Sequence, residues 1–225
     1  MQLRTSLDSK NRFAVIPFFN EERYIKNVVL TSLEYVDYIV LVNDGSTDNS
    51  TSNIPVDKRV VLEKIAINRG KGYALNIGFL KAIEMGARLI VTLDGDAQHP
   101  PEHVPDFFSK LEEFDVVIGA RRRTPGIMPI QRIISNFLTS FLLSLKVHRF
   151  IKDSQSGFRG YRTEHLKEIL PQNEGFMAET EIIINAVREG LRIGYTPIPT
   201  IYGDQKSKMT PFKSIIDFLK LLFLK

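Results

Sequence analysis

The chain contains no cysteine. That excludes disulfides and thiolate-bound metals and fits a reducing compartment. No apolar run reaches the ~18–20 residues needed to span a bilayer. The opening stretch, "MQLRTSLDSKNR", lacks the apolar core of a secretory signal. Net charge is also small: +4 scattered over 225 residues gives no reason to expect nucleic acid as a partner. No internal repeat or low-complexity linker divides the chain. The expectation is a cytoplasmic protein with one main domain, 1–210, and a short appended segment, 211–225. A chain of this size can bury roughly 70% of its unfolded surface without staples.

What is present is an alternation of β and α patterns. "RFAVIPFF", "YIVLV", "RVVLEKIA", "ARLIVTL" and "DVVIGA" read as strands, and "ARLIVTL" is the continuous apolar kind buried on both sheet faces. Between them lie an amphipathic stretch from Glu21 to about Leu33, a helix in "GKGYALNIGFLKAIEMG" and a proline-opened helix in "PPEHVPDFFSKLEEF". In the second of these, Ala74, Ile77, Gly78, Leu80 and Ile83 fall near one face, and Gly86 suits a C-terminal stop. Further on, Ile130, Ile133, Ile134, Phe137, Leu138, Phe141, Leu142 and Leu145 keep helical spacing. "FMAETEIIINAVREG" reads as another helix and "LRIGYTPIPTIY" as a last strand. This pattern predicts an α/β fold with a mostly parallel, Rossmann-like sheet and helices on both faces. Ligands then belong outside the carboxyl ends of the strands, where "NDGSTDNS", "DGDAQHP" and "RRRTPG" lie.

Asp94 and Asp96 end the most apolar strand with only Gly95 between them. Two close carboxylates repel unless something positive sits with them. Hard oxygen ligands suit Mg²⁺ or Mn²⁺, and Mg²⁺ commonly takes one or two carboxylates and completes its shell with substrate phosphates. The pair therefore points to a metal–diphosphate substrate; the plain alternative is a strand-end turn with Asp96 capping a helix. "HPPEH", His99 to His103, also matches an inverted zinc-peptidase pattern, but Pro100 and Pro101 put His99 at or before the helix start, and no third ligand is evident. In "NDGSTDNS", Asp44 is a candidate acceptor for a base or ribose, while Ser46 to Asp48 read equally as a turn. "NRGKG" places Arg69 and Lys71 at a helix N-terminus, a position that favours anions.

Taken together, "VIPFFNEE", "VNDGSTDNS", "NRGKGYALNIGF", "LDGDAQHPPEHV", "VIGARR" and "DSQSGFRGYR" resemble, in order and spacing, the family 2 glycosyltransferases. The resemblance is to the branch that makes dolichyl- or polyprenyl-phosphate sugars, including dolichyl-phosphate mannose synthases, and it covers about Phe13 to Lys208. It implies a GT-A fold, a nucleotide-sugar donor, Mn²⁺ or Mg²⁺, and inversion at the anomeric carbon. Position by position, it assigns Asp94, Asp96 and Gln98 to the metal motif and Pro17, Glu21 and Asp44 to the nucleotide pocket. Arg121 and Arg132 match residues that meet an acceptor phosphate. Asp153 lies near the acceptor, and Glu179 sits where relatives carry an acidic base. Lys206 and Lys208 match a basic loop near the donor phosphates, although "YGDQKSK" lacks the arginine often found there. The transmembrane pairs of some relatives are also missing.

The expected reaction is direct displacement at the sugar C1, with Arg69, Lys71 and the Lys206 loop stabilising the departing diphosphate. A lipid-phosphate acceptor is already ionised; a saccharide hydroxyl would need a base, Glu179 or Asp153. The alternatives are a soluble transferase acting on such a hydroxyl, a nucleotidyltransferase releasing pyrophosphate, and a non-catalytic nucleotide-sugar binder. In the segment 211–225, Phe212, Ile215, Ile216, Leu219 and Leu222 keep helical spacing beside Lys213, Lys220 and Lys225. That predicts an interfacial helix and a peripheral association with the cytoplasmic membrane face. The helix around 130–145 reads as a further apolar stripe, a core-packed helix or a homo-oligomer contact.

Overall fold

The apolar runs of the first half become the centre of a single sheet. The computed structural model describes residues 11–122, 128–175 and 177–201. The Lys206 and Lys208 loop, Arg123 and the segment from 211 lie outside the described residues. In chain order the elements are β1 (Arg12–Phe18), α1 (Ile25–Ser32), β2 (Tyr38–Asp44), β3 (Val60–Ile65), α2 (Lys71–Glu84) and β4 (Leu89–Thr92). After a short 3₁₀ turn come α3 (Val104–Lys110), β5 (Val116–Arg121), α4 (Ile130–Val147), β6 (Arg159–Arg162), α5 (Ala178–Arg188) and β7 (Ile193–Ile198).

The sheet has seven strands in the order β3-β2-β1-β4-β6-β5-β7. All pair in parallel except β6, which runs antiparallel between β4 and β5. β6 is absent from the sequence-based expectation. "RGYR" is four residues long with arginine at both ends, too short and too charged to show a strand pattern. Its start, Arg159, pairs with Thr92 and Ile118 near the carboxyl ends of β4 and β5. The segment before it is thereby delivered to the edge where ligands are expected.

Alternation along β1 feeds two cores. Phe13 and Val15 face Leu75 and Phe79 of α2 and Ile182 and Ile183 of α5. Ala14, Ile16 and Phe18 face Val28 and Val29 of α1 and Phe107 and Phe108 of α3. Helices therefore cover both faces, as a buried parallel sheet requires. Pro17 is tolerated because its side of β1 points to β4, whose pairing has already ended at Val15↔Thr92.

One helix is turned the other way. The buried residues of α4 are Asn136, Thr139, Ser140 and Leu143. Its expected apolar stripe, including Ile134, Phe137 and Phe141, is exposed. The inward polar face is fully engaged: Ser154 N–H donates to Ser140 Oγ at 3.1 Å, Ile151 N–H to Ser144 Oγ at 2.9 Å, and Asn136 Nδ2 to Asp153.

Candidate active site

The loop after β4 is built around its own backbone. Asp94 N–H donates to Nδ1 of the buried His99 at 3.0 Å, and Gln98 N–H donates to Asp96 Oδ1 at 3.0 Å. Between them Ala97 adopts φ 62°, a left-handed conformation that costs a non-glycine residue about 1 kcal/mol or more and tends to be kept at functional turns. Gly95 is needed for a different reason from the ligand approach its position suggests: a Cβ there would come 2.8 Å from the Cβ of Phe18 on β1. The acid pair is thus packed against the end of the neighbouring strand, with Glu21 alongside.

Lys71, the first residue of α2, reaches across to this loop. Its ammonium lies 2.5 Å from Asp94 Oδ1 and 2.9 Å from Glu179 Oε1. It bridges two carboxylates from different elements, a different placement from the outward, phosphate-facing one its loop position suggests. A Cβ on Gly157 would fall 2.5 Å from the Lys71 nitrogen and 2.7 Å from Glu179 Oε1, so only glycine lets the 153–158 segment close over the bridge. Arg159 fixes that segment. Fully buried, it donates from Nε to Ser156 O at 2.7 Å, from Nη2 to Ser154 O at 3.0 Å and from Nη1 to Glu179 O at 2.5 Å.

Charge around the acid pair is unequal. Burial would raise the Asp94 carboxyl, but the Lys71 ammonium outweighs it and holds the group at about 2. Asp96 is raised to about 6 by burial and then by repulsion from Asp94 and Glu21. The Lys71 ammonium, disfavoured by burial, is nonetheless held well above its usual value by Asp94 and Glu179. Burial depresses His99 to about 4, which keeps it neutral at physiological pH with Nδ1 available as an acceptor. At Asp96 burial and the neighbouring acids outweigh the Gln98 amide and the Lys71 charge, which act the other way.

The "NRGKG" loop is closed from within. Asp44, almost fully buried, accepts from Arg69 N–H at 2.9 Å and Gly70 N–H at 2.8 Å, while Gly72 and Tyr73 N–H both reach Glu174 O. The Gly72 and Tyr73 amides at the start of α2 are therefore satisfied by a protein carbonyl, which leaves the side chains of this loop, not those amides, to meet an anion. Arg69 pairs with Glu174 and lies over the Tyr73 ring, 3.7 Å from its centroid. Ser46 to Ser50 tie down the loop after β1: Asn20 N–H donates to Ser46 Oγ, Glu21 N–H to Ser50 Oγ, and Glu22 N–H to Asp48.

On the other side of β4, Asp153 accepts two parallel bonds from Arg121, at 2.8 and 2.9 Å, with Asn136 at 2.9 Å and Gln155 N–H at 3.1 Å. Burial works against the charge, yet these donors hold the carboxyl below its usual range. A carboxylate so occupied is a weaker base than a free one, and its two oxygens hold the Arg121 guanidinium in place. Arg132 lies one helical turn before Asn136 on α4, at the same end of the molecule. Glu179 is buried and committed to Lys71.

The zinc-peptidase pattern dissolves. His99 is turned onto the Asp94 backbone and stacks near Phe158, while His103 faces Asp106 from the 3₁₀ turn. Among the described residues no group of three or more His, Cys, Asp or Glu is placed to hold a metal. Reading the sequence missed His99, Asn136, Gly157 and Arg159 as positioning residues. Only Arg159 and Gly157 carried a signal, their place in "DSQSGFRGYR".

A mostly parallel sheet of this order, with an acid pair at the end of a central strand, is the GT-A glycosyltransferase fold. The family description "Glycosyl transferase family 2" matches residues 13–170, and the chain belongs to that family. A UDP-N-acetylglucosamine–dolichyl-phosphate N-acetylglucosaminyltransferase from Methanococcus voltae is 33% identical, over 95% of each chain. An undecaprenyl-phosphate mannosyltransferase from Micrococcus luteus is 27% identical, over 87% of this chain and 86% of its own. The chain therefore falls among relatives named for polyprenyl-phosphate sugar transfer. In fold it resembles glucosyl-3-phosphoglycerate synthase from Mycobacterium tuberculosis, solved with Mn²⁺, UDP and glucosyl-3-phosphoglycerate. The TM-score is 0.73 at 20% identity, over 95% of this chain and 80% of that one.

Proposed function

We propose that the protein is an inverting transferase that moves a sugar from a nucleotide-sugar donor to a polyprenyl phosphate of the dolichyl type. The observation that carries this reading is the state of the two candidate bases. Glu179 shares the Lys71 ammonium with Asp94, and Asp153 is held by Arg121, an arrangement that favours an acceptor needing no general base. An acceptor phosphate arrives ionised and needs no base. Its oxygen attacks C1 of the sugar, the bond from C1 to the nucleoside diphosphate breaks on the opposite side, and the anomeric configuration inverts. In this reading Arg121, held by Asp153, and Arg132 receive the acceptor phosphate.

The donor set at Asp94 and Asp96 fits a hard divalent cation: it offers carboxylate oxygens only, and burial with repulsion from Asp94 and Glu21 raises the Asp96 carboxyl. Mn²⁺ or Mg²⁺ held there supplies Lewis-acid neutralisation of the departing diphosphate. Gln98 shares the turn with Asp96. Lys71 fixes the position of Asp94 and keeps that carboxylate ionised. Pro17, Glu21 and Asp44 shape the pocket at the ends of β1 and β2 where the nucleotide is received, Asp44 by anchoring the Arg69 loop. Arg69, with Lys206 and Lys208, supplies positive charge near the diphosphate. The UDP and Mn²⁺ of the structural relative support this division of labour.

No helix among the described residues is long and apolar enough to cross a membrane. The sequence of 211–225 provides a contact with the cytoplasmic membrane face, to be tested by vesicle flotation of the full chain against one ending at Thr210. The reaction is tested by incubating the protein with a panel of nucleotide sugars, Mn²⁺ and a polyprenyl phosphate, with products read by mass. Sugar attached to the lipid phosphate, with release of nucleoside diphosphate, is expected. Transfer to saccharide hydroxyls alone, or pyrophosphate release from a nucleoside triphosphate, overturns the reading.

A further inference from the structure

We infer that Lys71 is a resident cation that competes with the divalent ion for Asp94, and that Glu179 is the second seat that retains its ammonium when the ion is held. One ammonium serves two carboxylates, Asp94 Oδ1 at 2.5 Å and Glu179 Oε1 at 2.9 Å. The two seats differ in depth. The Asp94 side chain is 29% exposed and that of Glu179 only 9%, so the outer seat is the one an arriving ion meets and the inner one is closed to it. Glu179 Oε1 is buried with no hydrogen-bond partner, and the ammonium is the group that satisfies it.

The packing leaves room for this exchange. A Cβ on Gly157 would fall 2.5 Å from the Lys71 nitrogen, 2.7 Å from Glu179 Oε1 and 3.1 Å from Asp94 Oδ2. All three charged atoms therefore border one methyl-sized gap, and Thr92 Oγ1, donating to Gly157 O at 2.8 Å, fixes its roof. Nor does Asp94 depend on the ammonium for its place. Leu93 N–H donates to Val15 O at 3.2 Å and Asp94 N–H to His99 Nδ1 at 3.0 Å, so backbone bonds hold the turn. Glu179 is anchored in the same way, its carbonyl accepting from the buried Arg159.

The consequence is a link between ion and donor. A free ion meets an Asp94 already paired with a positive charge, and repulsion from the ammonium weakens its binding. A nucleoside diphosphate adds negative charge and oxygen ligands of its own, which tips the competition. Ion and donor thus load together, and the ammonium stays with Glu179. This deepens the reading of Asp94 and Asp96 as the ligands of the ion and rests on it.

The test is Mn²⁺ binding to the nucleotide-free protein, read from the electron paramagnetic resonance signal of the free ion. Lys71→Met alone leaves two sheltered carboxylates without their counter-charge. The decisive variant is therefore Lys71→Met with Glu179→Gln, which removes one charge of each sign. It should bind Mn²⁺ about tenfold more tightly than the wild type, the order of effect of lifting one unit charge from beside a partly buried site. Adding Asp96→Asn should abolish that gain. Glu179→Gln by itself commits the ammonium to Asp94 and should weaken Mn²⁺ binding about tenfold. It preserves the side-chain shape and so decides the matter even where the double variant fails to give a native circular dichroism spectrum.

A folded double variant that binds Mn²⁺ as the wild type does, as net charge alone requires, overturns the inference. So does one that binds more weakly, as a purely structural Lys71 requires, or a Glu179→Gln protein of unchanged affinity. Wild type that binds Mn²⁺ neither alone nor with UDP or GDP sinks the metal reading and this inference with it. Binding that appears with the nucleotide, while the double variant gains nothing, sinks this inference alone.

Discussion

Asp96 and Asp153 lie on opposite sides of the same strand end, and both are largely removed from water. Asp153 is met by a bidentate arginine, an asparagine and a backbone amide; at Asp96 the Gln98 amide and the Lys71 charge are outweighed by burial and by repulsion from Asp94 and Glu21. One carboxyl is pushed below its ordinary range and the other up to about 6. Burial acts in the same direction on both, so the difference lies in the partners. A saturated carboxylate is a structural joint that positions something else. A carboxyl raised by burial and by neighbouring acids gains from added positive charge, and in the proposed reaction a divalent cation brought with the donor supplies it.

The largest effect expected from this contrast is at Asp96. Asp96→Asn keeps an oxygen for the Gln98 amide but removes the charge, so turnover should fall by about 10³-fold. Because that charge is unfavourable in the folded protein, the variant should unfold at equal or higher urea than the wild type. Chelation with EDTA should give the same loss, reversed by Mn²⁺. Full activity in either experiment removes the metal role from this pair.

Asp153 should behave in the opposite way. Asp153→Asn leaves the Arg121 guanidinium without its counter-charge, and breaking a buried pair from one side costs about 3 kcal/mol. A lower urea midpoint is expected together with a raised KM for the acceptor and a smaller change for the donor. Unchanged stability would show that the joint is not one.

The acceptor side can then be separated from base chemistry. Arg132→Ala should raise acceptor KM about tenfold, the worth of a charge-assisted bond of ~1.4 kcal/mol, with little change in kcat. Glu179→Gln should stay within about threefold of wild-type kcat, since a pre-ionised acceptor leaves no proton to remove. Complete loss in a folded Glu179→Gln protein would turn the comparison toward a hydroxyl acceptor.

The two long helices show how far the sequence could be read. In α2 the apolar spacing marks both the helix and its buried side, although the buried set, Ala74, Leu75, Gly78, Phe79 and Ala82, is rotated from the expected one and leaves Leu80 exposed. In α4 the same reasoning locates the helix but leaves open whether its stripe faces the core or outward, and the stripe is exposed. Periodicity records that a face is apolar, not what it faces. The parallel strands and the acid pair were legible because each is a local pattern. β6, His99 and the Asp153–Asn136 joint were not, because each acquires its role from partners distant in sequence or across a turn. Asp44 illustrates the middle case: its place at a strand end was readable, but its partners, the amides of Arg69 and Gly70, were not.

His99 offers the smallest effect and the finest check on the Asp96 side. Its ring is buried against Phe158 and accepts the Asp94 amide through Nδ1, and burial depresses it to about 4. An unfolded histidine takes its proton near 6.5. As the pH falls from about 6.5 toward 4, the unfolded chain binds a proton that the folded chain refuses, and stability is lost at up to ~1.4 kcal/mol per pH unit. Above that window the group contributes no slope. Asp96, raised to about 6, runs the other way between roughly 6 and 4, because the folded form takes up its proton before the unfolded form does. The two partly cancel in the wild type, so its urea midpoint should change little across that interval. His99→Gln retains an acceptor for the Asp94 amide and removes only the titrating ring. Its stability should therefore rise as the pH falls from about 6 to 4, leaving the Asp96 slope visible. A variant whose pH profile is parallel to that of the wild type would show that His99 is not held neutral beside the acid pair.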